Sequence, residues 1–157
     1  MGPKVLIVED DAGIQQVLCV FLEYSGFEVR GVGDGREAMS VIPEFCPQLI
    51  VLDLMMRPVS GWEVLRWLRT SGHPALQAIP VLILTALTPL AEQVQGFEAG
   101  AVEYITKPVQ PSVIVEHICT ILALSVEQRM LLQRRRMEEQ REKLECVHES
   151  QADNFSY

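Results

Sequence analysis

Positive charge is scarce in this sequence. Its 157 residues hold 13 Lys and Arg against 21 Asp and Glu, a formal net charge of −8 at pH 7. That balance argues against a nucleic-acid surface or an anionic membrane as the main partner. Long apolar runs are also missing. The longest, Ile118–Val126, reaches about half a bilayer span, so no transmembrane helix is expected. One Lys and the short apolar run Val5–Val8 precede Glu9, too little for a secretory signal. Leu6 occupies the position where myristoylation wants Ser or Thr. Cys19, Cys46, Cys119 and Cys146 show no C-x-x-C spacing, which fits free thiols in a cytoplasmic protein better than a zinc or disulfide framework.

What the chain does have is enough apolar residue, 48%, to bury about 70% of its unfolded surface in one core. Residues 1–125 carry 7 basic and 14 acidic side chains, and residues 126–157 carry 6 and 7. The expected division is therefore an apolar, acidic body over 1–125 and a charge-dense tail over 126–157, frayed from about residue 149 onward. In the body, Val5–Val8, Phe27–Val32, Leu49–Leu54, Val81–Leu84 and Val102–Ile105 have strand character. Four of these runs are almost continuously apolar, as strands covered on both faces are; Glu28 and Arg30 mark the second as an exposed edge. Helical periodicity covers Ile14–Tyr24, Arg36–Ile42, Trp62–Arg69, Leu90–Glu98 and Ser112–Leu124. Gly26, Gly72 and Gly100 follow three of these helices, where a cap wants positive φ. Five strand–helix alternations predict an α/β domain with a parallel sheet.

Ligand sites in such sheets form outside the carboxyl ends of the strands. Glu9, Asp10 and Asp11 follow the first strand, Asp53 closes the third, Thr85 the fourth, and Lys107-Pro108 the fifth. Up to three carboxylates would then crowd together, with one Lys too few to neutralise them. A hard divalent cation such as Mg²⁺, which takes carboxylates, water and phosphate, is the natural remedy. Asp11 has the simpler role of opening the first helix. A carboxylate can attack phosphorus to give an acyl phosphate, and a Lys and a hydroxyl suit the phosphoryl oxygens. Lys107 and Thr85 are the right groups.

The pieces Val5-Leu-Ile-Val-Glu-Asp-Asp11, Leu49-Ile-Val-Leu-Asp53, Ser60-Gly61, Thr85-Ala86, Gly100-Ala101 and Tyr104-Ile-Thr-Lys-Pro108 resemble, in order and spacing, the response-regulator receiver domains of two-component signalling. The resemblance covers about residues 4–124. It implies a flavodoxin-like, doubly wound five-stranded parallel sheet of order 2-1-3-4-5 with helices on both faces. It also implies a phosphorylation-dependent switch rather than a metabolic enzyme. Its expected phosphodonor is a sensor histidine kinase or phosphotransfer protein, and its output a downstream protein target. Carried over residue by residue, Asp53 is the phosphoacceptor, and Mg²⁺ is held by Asp10, Asp53, the Met55 main-chain carbonyl and Glu9 through water. Thr85 and Lys107 bind phosphoryl oxygens, Tyr104 is the aromatic switch, and Lys107-Pro108 is a cis-proline site. A flavodoxin-like redox protein would share the strand order, but three acids after strand one would repel a flavin phosphate. A phosphorylation-independent scaffold is the other alternative, against which the complete Asp10, Asp53, Thr85 and Lys107 set counts.

Two departures matter. Arg57-Pro58 replaces the family's usual proline four residues after Asp53, so that loop should bend differently. Met55 and Leu87, flanking the phosphoryl position, are apolar and cannot orient water, which implies slow hydrolysis of the phosphorylated form. Receivers commonly signal through the face made by the fourth helix (Leu90–Glu98), fifth strand and fifth helix (Ser112–Leu124). Over residues 70–128 the only Lys or Arg is Lys107, leaving Glu92, Glu98, Glu103 and Glu116 without cationic partners inside that face. A charge-laced dimer there is not expected. Val126, Met130, Gln133, Met137, Gln140, Leu144 and Val147 form a heptad seam, expected to continue the fifth helix as a homodimer coil or a linker. About thirty tail residues are too few for an output domain, so a stand-alone regulator or a receiver from a larger protein is expected. Trp62 and Trp67 are expected on the flank of the third helix, and His73, His117 and His148 have no metal spacing.

Overall fold

The computed structural model describes residues 2–86 and 88–153. Five parallel strands, β1 (Lys4–Val8), β2 (Glu28–Val32), β3 (Leu49–Leu52), β4 (Val81–Thr85) and β5 (Glu103–Thr106), form one sheet in the order β2-β1-β3-β4-β5. The chain thus has the flavodoxin-like topology the sequence implied. Alternation along each strand divides two cores. Leu6, Val8, Ile50, Leu52, Val81 and Ile83 point to one face, while Val5, Ile7, Leu49, Val51, Leu82 and Leu84 point to the other. Burying both sets explains why the central strands carry unbroken apolar runs.

Helices α2 (Gly35–Phe45) and α3 (Gly61–Thr70) cover the first face through Ala38, Ile42, Phe45, Val64, Leu65 and Leu68. On the second face α1 (Ala12–Tyr24) and α6 (Pro111–Ala123) bury Leu18, Leu22, Ile114, Ile118 and Ile121. Trp62 and Trp67 are half-buried against the first core. The turns after α1 and α3 and after α5 (Leu90–Glu98) use Gly26, Gly72 and Gly100 at φ 99°, 74° and 104°, as expected for glycine at positive φ.

Three elements differ from expectation. Helix α2 runs through Pro43 to Phe45 and closes on Cys46 at φ 52°. The buried Ala38, Ile42 and Phe45 hold its last turn although Pro43 lacks a donor. A one-turn helix, α4 (Pro74–Gln77), fills the connection to β4. The third difference is the tail, which is helical as α7 (Val126–Asp153) but does not prolong α6.

Helix α6 stops because Leu124 is extended, at φ −83° and ψ 146°. Ser125 then opens α7 with a reciprocal cap: its hydroxyl accepts from the Gln128 N–H at 3.1 Å, and the Gln128 side chain accepts from the Ser125 N–H at 2.8 Å. Arg129 Nε donates to the Ile121 carbonyl at 3.2 Å, satisfying the end of α6. The chain folds back so that α7 lies against α5. Helix α7 reaches Asp153; the rest of the segment expected to fray, residues 154–157, lies outside the described residues.

Candidate functional site

The site grows out of the ends of β1, β3, β4 and β5. Asp53 follows β3, with its N–H on the Val8 carbonyl at 3.0 Å. Glu9, next to β1, donates its N–H to the Val32 carbonyl at 3.1 Å. Asp11 caps α1 by accepting the Ile14 N–H at 3.0 Å, the structural role expected of it. Lys107 donates its N–H to the Thr85 carbonyl at 2.7 Å, tying the end of β5 to that of β4.

These four strand ends bring Glu9, Asp10, Asp53, Thr85 and Lys107 together. Asp53 is 5% exposed and Glu9 2%, while Thr85 is fully buried and Asp10 is exposed. The Thr85 hydroxyl donates to Asp53 Oδ1 at 2.8 Å, and the Met55 N–H donates to the same oxygen at 3.0 Å. Lys107 Nζ bridges the two acids, 2.5 Å from Glu9 Oε2 and 3.2 Å from Asp53 Oδ2. Burial is the largest influence on Glu9 and lifts its carboxyl above the ordinary range; the Lys107 hydrogen bond opposes this and the Asp53 charge adds to it. Burial alone would lower Lys107, but Glu9 and Asp53 outweigh it and hold the ammonium above its ordinary value. Lys107 is therefore a fixed positive charge.

One cation shared by two buried acids, with a third acid beside them, leaves negative charge uncompensated. Glu9, Asp10 and Asp53 each offer a carboxylate oxygen, and these oxygens lie within 4.8 Å of one another. Hard oxygen donors, one of them exposed, fit a divalent cation such as Mg²⁺ that keeps several waters.

The loop after Asp53 contains a second cis peptide, Arg57-Pro58, alongside the expected Lys107-Pro108. Ser60 then starts α3 in a capping box with Glu63. Gly61 presses against the strand end: a Cβ there would lie 2.1 Å from the Asp53 carbonyl oxygen. Because that obstacle is backbone, Gly61→Ala must push α3 away from Asp53. It is expected to cost about 2 kcal/mol in urea unfolding, and an unchanged midpoint would refute this tight contact.

Tyr104 is half-buried at β5, its hydroxyl 2.6 Å from Thr88 Oγ1. Burial raises the phenol's pKa, so it stays protonated. Met55 is 63% exposed and so does not close over the carboxylate. Leu87, the other expected flank, lies outside the described residues.

Sequence reasoning missed the cations that serve the acidic face. Arg136 of α7 lies 3.2 Å from Glu103, and Arg141 2.6 Å from Glu98. His117 Nδ1 is 3.5 Å from Glu103. The available signal was Ser125-Val-Glu-Gln128, a capping box that restarts a helix.

The pocket thus sets a buried carboxylate, a hydroxyl and an ammonium together at the carboxyl edge of a doubly wound parallel sheet. The family model described as "Response regulator receiver domain" matches residues 5–119, and the chain belongs to that family. "DNA-binding response regulator MtrA" of Mycobacterium tuberculosis (strain ATCC 25618 / H37Rv) is 36% identical over 118 residues, covering 75% of this chain and 50% of that protein. "DNA-binding dual master transcriptional regulator RpaA" of Synechocystis sp. is 40% identical over 106 residues, covering 68% of this chain and 43% of that one. The chain thus spans about half the length of the curated relatives it matches. Among solved structures, the signal receiver domain of a signal transduction histidine kinase from Syntrophus aciditrophicus superposes with a TM-score of 0.70 at 35% identity, covering 78% of this chain and 91% of that one. Among the described residues, no helix is long and apolar enough to cross a membrane.

Proposed function

We propose that residues 1–125 are a phosphorylation-dependent switch, with Asp53 as phosphoacceptor, and that residues 126–157 are a distinct regulatory tail. The observation that carries this reading is the buried Asp53 carboxylate with the Thr85 hydroxyl at 2.8 Å and the Lys107 ammonium at 3.2 Å. The donor would be the phosphohistidine of a sensor histidine kinase or phosphotransfer protein. An Asp53 oxygen attacks phosphorus, the P–N bond breaks, and the imidazole leaves with its electron pair. Lys107 then offsets the charge on one phosphoryl oxygen while Thr85 leaves Asp53 to donate to another. Glu9, Asp10, Asp53 and the Met55 main-chain carbonyl are the groups proposed to hold Mg²⁺, which when bound neutralises phosphoryl charge. Movement of Thr85 would draw on the Thr88–Tyr104 contact and let Tyr104 turn inward.

The chain acts on its own phosphorylation state rather than on a metabolite. The apolar Met55 offers no group to orient attacking water, which supports slow hydrolysis. The acidic body supports a downstream protein target, not direct nucleic-acid contact, and the free thiols of Cys19, Cys46, Cys119 and Cys146 support a cytoplasmic setting. The deciding experiment incubates the full chain with acetyl phosphate and Mg²⁺ and maps the product by mass spectrometry. An acyl phosphate on Asp53 that fails to form in EDTA is the expected result. Label on another residue, or none, refutes the reading.

A further inference from the structure

Helix α7 sits on α5 and β5 as a ligand sits on a receptor. Gln133 Nε2 donates to the Phe97 carbonyl at 2.6 Å, Arg141 pairs with Glu98 at 2.6 Å, and Arg136 pairs with Glu103 at 3.2 Å. Met137, Gln140 and Leu144, from the heptad seam, are half-buried along the same contact, while Val126 and Met130 remain exposed. Leu90, at the start of α5, lies beside Cys146 and Val147, so the two helices run in opposite directions. The middle of the seam, Gln133 to Leu144, is spent within the chain, while Val147 is exposed like Val126 and Met130.

Two features suit this contact to a switch. Gln140 Oε1 and Arg136 Nε are buried without a hydrogen-bond partner among the described residues, a cost that detachment into water would relieve. The contact also reaches the phosphoacceptor. Glu103, 7% exposed, accepts the Tyr104 N–H at 3.1 Å with one oxygen and holds Arg136 with the other. Tyr104 in turn meets Thr88, three residues beyond the Thr85 that donates to Asp53.

The same geometry defines what could replace α7. Lifting it would strip the buried Glu103 carboxylate of its guanidinium and leave His117 Nδ1, at 3.5 Å, as the neighbouring group, a weaker partner that favours the arrival of another cation. Glu92 and Glu98 lie on α5, the helix that α7 covers, and the Lys107 at the active site is the only Lys or Arg in residues 70–128. We propose that α7 is a latch that covers, in cis, a docking surface for a basic amphipathic helix of a partner protein, and that modification of Asp53 loosens it. Such a helix would carry an Arg aimed at Glu103, a second cation for Glu98, and apolar residues between them. The coupling half rests on Asp53 being the phosphoacceptor.

Linkage supplies the test, because a site that loosens the latch must bind more tightly once the latch is open. The full chain is titrated with beryllofluoride and Mg²⁺ while amide exchange is followed along α7. Beryllofluoride is expected to speed α7 exchange in the wild type. R136E/R141E should exchange fast without it and bind it about fivefold more tightly. Gln140→Leu, which removes the buried unpaired oxygen, should slow exchange and weaken binding. Adding Glu98→Arg to R141E should restore protection, which general damage to α7 would not allow. A labelled peptide of residues 126–153 should bind R136E/R141E, whose own latch is open, more tightly without beryllofluoride than with it.

Beryllofluoride binding with unchanged α7 exchange overturns the latch while leaving the phosphoacceptor reading intact. No beryllofluoride binding at all, with α7 still freed in R136E/R141E, removes the coupling and the phosphoacceptor together. A dimer joined through α7 on opening would make a second copy the occupant and overturn the proposed partner.

Discussion

Asp53→Asn is expected to abolish the acyl phosphate entirely and yet make the magnesium-free protein more stable. The first effect follows because an amide is not a nucleophile toward phosphorus. The second follows from charge. Asp53 and Glu9 are both buried and share one ammonium, at 3.2 and 2.5 Å. Asparagine keeps an oxygen for the Thr85 hydroxyl and the Met55 N–H, so both hydrogen bonds survive. It removes a charge that burial makes expensive and that repels Glu9, leaving Lys107 to Glu9 alone. A gain of about 1 kcal/mol in EDTA is expected from urea unfolding. Mg²⁺ should narrow or reverse the gap, because a cation that binds the folded wild type stabilises it by mass action. Equal or lower stability of the variant in EDTA would show that Lys107 compensates both acids fully.

That electrostatic excess was visible before any coordinates, because the fold places strand ends together. Strand–helix alternation specifies a parallel sheet, and such a sheet gathers whatever follows its strands. Glu9, Asp10, Asp53, Thr85 and Lys107 therefore met as their spacing implied. The unbroken runs could not say which face each residue takes; that depends on strand pairing, and the pairing of Val5 with Val29 and Leu49 settles it. Boundaries shifted where tertiary burial overrode local preference, as when Phe45 carried α2 past Pro43.

The tail was harder for a physical reason. A heptad pattern says that one face of a helix will be covered, not by what. Gln133, Met137, Gln140 and Leu144 satisfy the pattern equally against a second copy or against α5. The choice is made at Leu124–Ser125, where one extended residue and the Ser125–Gln128 cap turn the chain back. The acidic surface of α5 and β5 then finds its cations in residues that a segment-by-segment charge count had assigned elsewhere.

Lys107→Ala is expected to move cation binding and phosphoryl transfer in opposite directions. In the unmodified protein the ammonium lies against Glu9 and Asp53, two of the three acids proposed to hold Mg²⁺. A positive charge a few ångströms from a cation site opposes the cation by a few kcal/mol at an effective dielectric of about 20, less whatever side-chain motion and solvent relieve. Its removal should tighten Mg²⁺ binding about tenfold, measured by calorimetry. Transfer from acetyl phosphate should nevertheless slow about 100- to 1,000-fold at saturating Mg²⁺, because the developing phosphoryl charge loses a preorganised donor. A variant that lost affinity for both Mg²⁺ and phosphate would have suffered a collapsed site. One that bound Mg²⁺ more tightly and transferred at the wild-type rate would show that Lys107 serves only to hold Glu9 and Asp53 together. Opposed shifts in a single protein separate the two jobs, since damage to the fold would weaken both.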